Sequence, residues 1–400
     1  MPAHRLLIYS HDSFGLGHLR RCRSIALALV ERFPNLEARI VSGLPLVAEF
    51  GYHPRISLTL VPPVIKLKNG DYRARKAGQG LVDAIEERSR IICDTARAFE
   101  PDLFLVDKEP LGIRGEVRAT LDELQRNGVP CVLGLRDVMD DPPRLVEEWQ
   151  RKGAIEALDT AYDEIWIYGL PRIYEPLAGV PLAPHVRRKI VYTSYLYRNG
   201  IHMAAQPEGA SERPYILVTP GGGGDGERLV DWVLDAIEHD PSLPHRIVIV
   251  SGPFMDGQSR EAFASRVARL PQVEIITFTS DMEVLMKRAS GIVAMGGYNT
   301  FCEILSFDRP ALIVPRTVPR LEQFIRASRA AALGLVAMLP GDGDRNPERM
   351  AAALRRLPHQ ARPSSIVIPG LLDGHDAITA RVSHWLGIAE PTRRLAEAAG

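Results

Sequence analysis

Short apolar runs alternate with longer amphipathic stretches along most of the chain. RLLIYS (5–10), EARIVSG (37–43), SLTLVPP (57–63), PDLFLVD (101–107), VPCVLGLRD (129–137) and DEIWIYG (163–169) read as strands. They are continuous Val/Ile/Leu runs rather than strict alternations, the mark of a parallel sheet covered on both faces. Helical spacing fills residues from about 18 to 33 and from about 80 to 99. The rhythm breaks in RNGIHMAAQPEGASERP (198–214), a polar, Pro/Gly/Ser-containing segment of the kind that joins domains. It restarts with YILVTP (215–220), RIVIVSG (246–252), VEIITF (273–278), GIVAMGG (291–297) and PALIVP (310–315). Two βα-repeating halves predict an α/β protein of two Rossmann-like domains with a cleft between them. The boundaries drawn are 1–200 for the first domain, 201–213 for the linker, 214–372 for the second domain and 373–400 for a terminal helical segment.

Composition narrows the partners. The 400 residues carry 49 Lys plus Arg and 49 Asp plus Glu, for a formal net charge of zero. That balance argues against a dedicated nucleic-acid binder. With 46% hydrophobic and 24% charged residues, the chain has the make-up of folded domains rather than of a disordered one. Cys22, Cys93, Cys131 and Cys302 have no zinc-like spacing and imply no disulfide framework, which fits a reducing, cytoplasmic compartment. No apolar run approaches the ~18 residues of a membrane span, so any membrane contact expected is peripheral, at the inner face.

The first candidate site is HDSFGLGHLRRCRSIALAL, directly after the first strand. Gly15 and Gly17 permit a tight turn and close backbone approach to a ligand. Their spacing, followed by Arg20, is not the G-x-G-x-x-G dinucleotide fingerprint. His18 opens the helix, where the positive end of the helix dipole favours the neutral imidazole that a general base needs. The alternative is a histidine bonded to its own loop. Arg20, Arg21 and Arg23 oppose that dipole. Arg20 and Arg23 read as solvated, or paired with Asp12 or Glu31, while Arg21 stays open to an anionic ligand.

In the second half, Gly221 to Gly224 sit between a strand and a helix. Backbone amides and a helix N-terminus there suit a diphosphate. After the strand ending at Gly296 and Gly297, Thr300 and Glu303 have the T-x-x-E spacing of a capping box. Taken alone, Glu303 reads as that cap, with ribose binding as the alternative. Glu322 and Gln323 read on their own as an exposed helical face. The acids of DVMDDPP (137–143) form no ligand constellation, and no metal site is predicted. Lys66, Lys68, Arg73, Arg75 and Lys76, against Asp71, read as a solvated basic loop; an acidic acceptor or anionic lipid is the other reading.

Taken together, GLGHLRR near the start, the glycine run after the linker, and GGYNTFCEILSFDRPALIVPR followed by Glu322 and Gln323 resemble the GT-B glycosyltransferases, and family 28 most of all. That resemblance implies two Rossmann-like domains whose parallel sheets face a central cleft. It assigns His18 as the catalytic base or an acceptor-side group, and Gly15, Gly17 and Arg21 to the same loop. It assigns Gly222 and Gly223 to the donor phosphates, and Phe278 and Thr279 to a turn whose backbone reads the base, usually uracil. Gly297, Thr300 and Glu303 fall in the donor stretch, with Glu303 on the ribose hydroxyls. Glu322 and Gln323 would contact the donor sugar. The implied reaction is metal-independent, inverting transfer from a nucleotide diphosphate sugar, a UDP-sugar, with no cofactor besides that co-substrate. DSFGLGH departs from the family's GGTGGH, which leaves the acceptor open among saccharide, lipid-linked and small-molecule hydroxyls. GLGHLRR also resembles the G-x-G-H-x-x-R loop of a GT-B nucleotide-sugar hydrolase, and a non-catalytic nucleotide-binding module is a further alternative.

Overall fold

The computed structural model describes residues 4–11, 17–44, 53–66, 71–75, 78–198, 214–222, 224–279 and 281–389. Gly15, Gly223, Lys68, Lys76 and the expected linker 201–213 lie outside the described residues.

The first half contains β1 (His4–Tyr9), α1 (Gly17–Arg32), β2 (Leu36–Ser42), β3 (Ile56–Leu60), β4 (Val64–Lys66), β5 (Tyr72–Ala74), α2 (Leu81–Phe99), β6 (Leu103–Asp107) and α3 (Arg118–Arg126). It continues with β7 (Cys131–Arg136), α4 (Pro142–Arg151), α5 (Ala154–Thr160), β8 (Glu164–Tyr168), α6 (Pro184–Arg187) and β9 (Ile190–Tyr192). Its sheet runs β3-β2-β1-β6-β7-β8-β9, with every pair parallel. The apolar runs explain this. Leu6 and Ile8 of β1 pack on the α1 side and Leu7 and Tyr9 on the opposite side, all at most 1% exposed. A strand buried on both faces has no polar face to alternate with.

The second half contains β10 (Tyr215–Thr219), α7 (Glu227–His239), β11 (Arg246–Val250), α8 (Gly257–Val267), β12 (Val273–Ile276), α9 (Met282–Arg288) and β13 (Gly291–Ala294). Then come α10 (Tyr298–Phe307), β14 (Ala311–Ile313), α11 (Glu322–Ala332), β15 (Ala337–Met338), α12 (Pro347–Arg356) and α13 (Gly374–Leu386). This sheet runs β12-β11-β10-β13-β14-β15 and is also parallel throughout. In both sheets the order reverses once, between β1 and β6 and between β10 and β13. Ligand crevices in such sheets open at the carboxyl ends of the strands beside that switch point. The glycine-bearing segments after β1, β10 and β13 therefore all lead from switch-point strands.

One expectation needs correction. Part of the basic stretch 66–76 is not a simple loop: β4 and β5 form an antiparallel hairpin, with Ile65 opposite Arg73. The terminal helix, drawn from the sequence as its own segment at 373–400, is α13, and it meets the first domain. Asp373 bridges to Leu196, and Ser24 Oγ of α1 lies 3.0 Å from His375 Nε2 of α13. Arg381 of α13 pairs with Glu164 of β8. The chain thus crosses back and lays α13 on the first domain. Tyr195, whose backbone bonds the returning chain at Leu371 and Gly374, stacks on Tyr298 with ring centroids 6.1 Å apart and meets Phe301 edge-on at 5.4 Å. One hydrophobic core runs through this junction and includes buried residues of both sheets.

Candidate active site

The site is built where α1 and α10 meet head to head. His18 is the second residue of α1, and its Nδ1 lies 2.6 Å from Oδ2 of Asp107, the last residue of β6. Nδ1 also lies 2.8 Å from Arg21 Nη2; the shorter contact, to an acceptor-only carboxylate, favours the tautomer in which Nδ1–H donates to Asp107 and Nε2 is unprotonated. Arg21, one turn further along α1, donates to Asp107 from Nε at 2.9 Å and from Nη2 at 2.7 Å. Burial holds the His18 pKa down to about 3, against the pull of Asp107. Asp107 is 1% exposed; burial alone would raise its pKa, but Arg21 and His18 outweigh it and hold it below the usual carboxylate range. The outcome is a neutral imidazole oriented by an ionised carboxylate, the arrangement of an effective general base. The lowered pKa was expected from the helix dipole, but burial is its main cause.

Asp107 was missed in the sequence. Its signal was there: an acid ends an otherwise apolar run, at the carboxyl end of a central strand. Arg21 is 2% exposed, and its Nη2, bonded to Asp107, also lies 2.8 Å from His18 Nδ1. Its guanidinium sits over the rings of Tyr168 and Tyr298, 5.6 and 5.4 Å from their centroids. Asp12 lies outside the described residues, and Arg20 is not simply solvated. It donates to Glu303 at 2.7 Å and approaches Glu283 at 3.7 Å. Burial lowers the pKa of Arg23, with Glu283 acting against it.

At the start of α10, the capping box does not form. α10 starts at Tyr298 with Gly297 as its N-cap and no side-chain cap bond. Thr300 and Glu303 lie inside the helix, half-buried and 2% exposed respectively. Asn299, also missed, donates from Nδ2 to the Gly17 carbonyl at 2.8 Å, while its Oδ1 accepts from Arg198 at 3.0 Å. A side chain added at Gly297 would meet nothing within 4 Å, so the backbone there borders open space. Gly222 is exposed, and its carbonyl accepts from Phe254 N at 3.0 Å. Phe278 is 47% exposed, and Thr279 Oγ1 accepts from Asp281 N at 3.0 Å.

Glu322 and Gln323 are not an exposed face: they are 4% and 8% exposed at the start of α11. Arg316 organises them. Its Nη2 donates to Glu322 at 2.7 Å, its backbone N–H donates to Gln323 Oε1 at 3.2 Å, and it pairs with Asp225 beside the glycine run at 2.5 Å. The acids at 137–143 also have partners. Asp137 takes both arms of Arg326 at 2.8 and 2.6 Å, and Asp140 accepts from the Leu321 N–H at 2.9 Å. Arg320 bonds Glu148 across the same junction. These are links between the domains. Among the described residues, no group of three or more His, Cys, Asp and Glu side chains gathers as a metal site would need. No described helix is long and apolar enough to cross a membrane.

The C-terminal domain of glycosyltransferase family 28 matches residues 215–362, from β10 through α12. An "uncharacterized glycosyltransferase" of Methanosarcina acetivorans is 26% identical over 330 residues, which are 75% of this chain and 77% of that protein. The UDP-N-acetylglucosamine–N-acetylmuramyl-(pentapeptide) pyrophosphoryl-undecaprenol N-acetylglucosamine transferase of Methylobacterium nodulans is 29% identical over 191 residues, 46% of this chain and 50% of that protein. Among solved structures, the glycotransferase of kitacinnamycin superposes with a TM-score of 0.66 at 15% identity, covering 96% of this chain and 100% of that one, a likeness of fold. With that family domain matched in its second half, a glycosyltransferase relative along three quarters of its length and two facing parallel α/β domains, the chain has the GT-B fold and is similar to the family 28 glycosyltransferases.

Proposed function

We propose that the protein transfers a sugar from a nucleotide diphosphate sugar, a UDP-sugar, to an acceptor hydroxyl with inversion at the anomeric carbon. The observation that carries this reading is the Asp107–His18 dyad at the head of α1, pressed against α10 of the donor domain. His18 Nε2 takes the acceptor hydroxyl proton, and Asp107 stabilises the imidazolium that forms. The oxygen attacks the anomeric carbon from the face opposite the diphosphate, which inverts the centre. The backbone around Gly222, with the N-terminus of α7 behind it, receives the departing diphosphate. Glu303 takes the ribose hydroxyls, Glu322 and Gln323 the sugar, and the turn at Phe278 and Thr279 the base. The name of the Methylobacterium relative supports uridine as the nucleoside. The reaction asks for no cofactor besides the donor, and the protein works in the cytoplasm.

The test is turnover of a panel of UDP-sugars, read as nucleotide release with and without a set of acceptors. His18→Ala should lose about 10²–10⁴-fold in rate while still binding UDP. Asp107→Asn should lose activity without losing UDP. Free sugar released in the absence of any acceptor would replace the transferase with the hydrolase, because the same dyad can activate water. UDP binding without turnover of any UDP-sugar would leave a binding module.

A further inference from the structure

Arg136 ends β7 at the carboxyl edge of the first sheet, in register with Tyr168 of β8. The strand beside it, β6, ends in Asp107, which pairs with Gly134, two residues before Arg136. Its guanidinium is half-buried, its Nε is sealed from solvent with no hydrogen-bond partner, and among the described residues no carboxylate forms an ion pair with it. A cation placed this way is expensive unless something anionic meets it.

The charges around it make the imbalance specific. Arg21 from α1 and Arg326 from α11 act on Arg136 with like charge, and Glu322 from α11 and its neighbour Asp137 act with opposite charge. Those carboxylates are already committed. Both oxygens of Asp137 hold Arg326, and one also accepts from Tyr195. Glu322 Oε1 holds Arg316. Asp107 holds Arg21 and His18. Four guanidiniums, Arg21, Arg136, Arg316 and Arg326, thus stand against three carboxylates, each already bonded to one of the other three arginines. The second oxygen of Glu322 is itself buried without a partner, so that end of the cleft lacks both an anion and a donor.

We propose that Arg136 binds an oxyanion carried by a substrate, a phosphate or carboxylate, with Nε and one Nη donating side by side. The planar fork of a guanidinium suits that pairing. The inference rests on the transferase reading, which puts a donor and an acceptor in this cleft. The oxyanion comes either from an acidic group of the acceptor or from the donor's diphosphate.

The experiment is calorimetric titration of the full chain with UDP, with uridine, and with inorganic phosphate in the presence of saturating UDP. It compares the wild type with Arg136→Gln and Arg136→Lys. An acceptor oxyanion predicts that phosphate binds the UDP-loaded wild type and that Arg136→Gln weakens it at least tenfold, with UDP affinity unchanged. A donor oxyanion predicts that phosphate competes with UDP, and that Arg136→Gln weakens UDP at least tenfold but leaves uridine alone. Arg136→Lys should restore part of either loss. Phosphate and UDP affinities within twofold of wild type in Arg136→Gln would overturn the proposal. Failure of UDP to bind wild type would count against the donor reading, and phosphate alone would then judge Arg136. Thermal melting of Arg136→Gln without ligand should match or exceed wild type, because the cost of burying an unpaired cation is relieved. That checks that the variant is folded.

Discussion

Arg20 Nη2 donates to Glu303 Oε1 at 2.7 Å, joining the helix that carries His18 to the helix proposed to hold the donor ribose. Glu303 is 2% exposed and the Arg20 side chain 28%, so the arginine is the member with room to move. If ribose hydroxyls use that carboxylate, they must compete with Arg20 for it. A ligand that has to displace an internal partner binds with reduced apparent affinity. Arg20→Ala should therefore tighten UDP by a few fold, whereas Glu303→Ala should weaken it about tenfold, the worth of one charge-assisted hydrogen bond. Calorimetric titration with UDP checks both. Equal affinities across wild type and the two variants would reduce the pair to a structural link.

The pH dependence follows from burial of two histidines. His18 is held at about 3 and His375 at about 4, both below the ordinary 6.5. Between those values and pH 6.5 the unfolded chain binds protons that the folded chain does not. Stability therefore rises with pH in this window and falls as the solution is acidified below about 6.5. Activity should behave differently. His18 is already neutral in the folded enzyme, so the acid limb of kcat/KM belongs below pH 5 and not near 6.5. Paired pH profiles of thermal melting and of turnover separate the two effects. An acid limb centred near 6.5 would mean that His18 is exposed and ordinary in the working enzyme.

Asp137 and Arg326 are each 1% exposed and bridge the two domains. Arg326 also donates to the carbonyl of Gly296 at 2.9 Å, and Gly296 adopts φ +80, a backbone conformation that glycine takes freely. Removing one partner leaves a buried charge. Asp137→Ala should cost about 3–5 kcal/mol, read by denaturant unfolding. The double variant Asp137→Ala/Arg326→Met should recover a substantial part of that loss, because no uncompensated charge remains. Strict additivity of the two single changes would argue against a coupled pair.

Much of this was legible in the chain itself. The apolar runs predict 11 of the strands in the two large sheets because residues buried on both faces leave a strong local mark. Short edge strands leave a weak one: β9 has three residues and β15 two, and neither stood out. The site divides along a similar line. His18 and the donor glycines announce themselves through local spacing. What each side chain pairs with is set by the meeting of α1 and α10, nearly 300 residues apart in sequence, and no local pattern encodes it. For that reason Glu303 taken alone looked like a helix cap, and Glu322 and Gln323 like a solvent face. Asp107 was the one partner with a local signal.

Asn299 is the sharpest test that the donor domain sets the base. Its amide orientation is fixed by its neighbours: Arg198 can only donate, so it faces Oδ1, and the Gly17 carbonyl can only accept, so it faces Nδ2. Gly17 immediately precedes His18. The contact thus ties the start of α1, and with it the angle of the imidazole, to the first turn of α10. Asn299→Asp keeps the size and the Arg198 contact but turns the donor into an acceptor facing a carbonyl oxygen. The lost hydrogen bond corresponds to about 1–1.5 kcal/mol, or roughly a tenfold fall in kcat if the orientation of His18 depends on it. UDP affinity should stay near wild type, since Asn299 faces α1, away from the proposed donor contacts, and melting should shift little. Steady-state kinetics with a turned-over UDP-sugar gives the answer. A fall in kcat with unchanged UDP binding assigns Asn299 to positioning the base. A parallel loss of UDP affinity would instead mean that the first turn of α10 serves the donor, and that His18 is held by Asp107 and Arg21 alone.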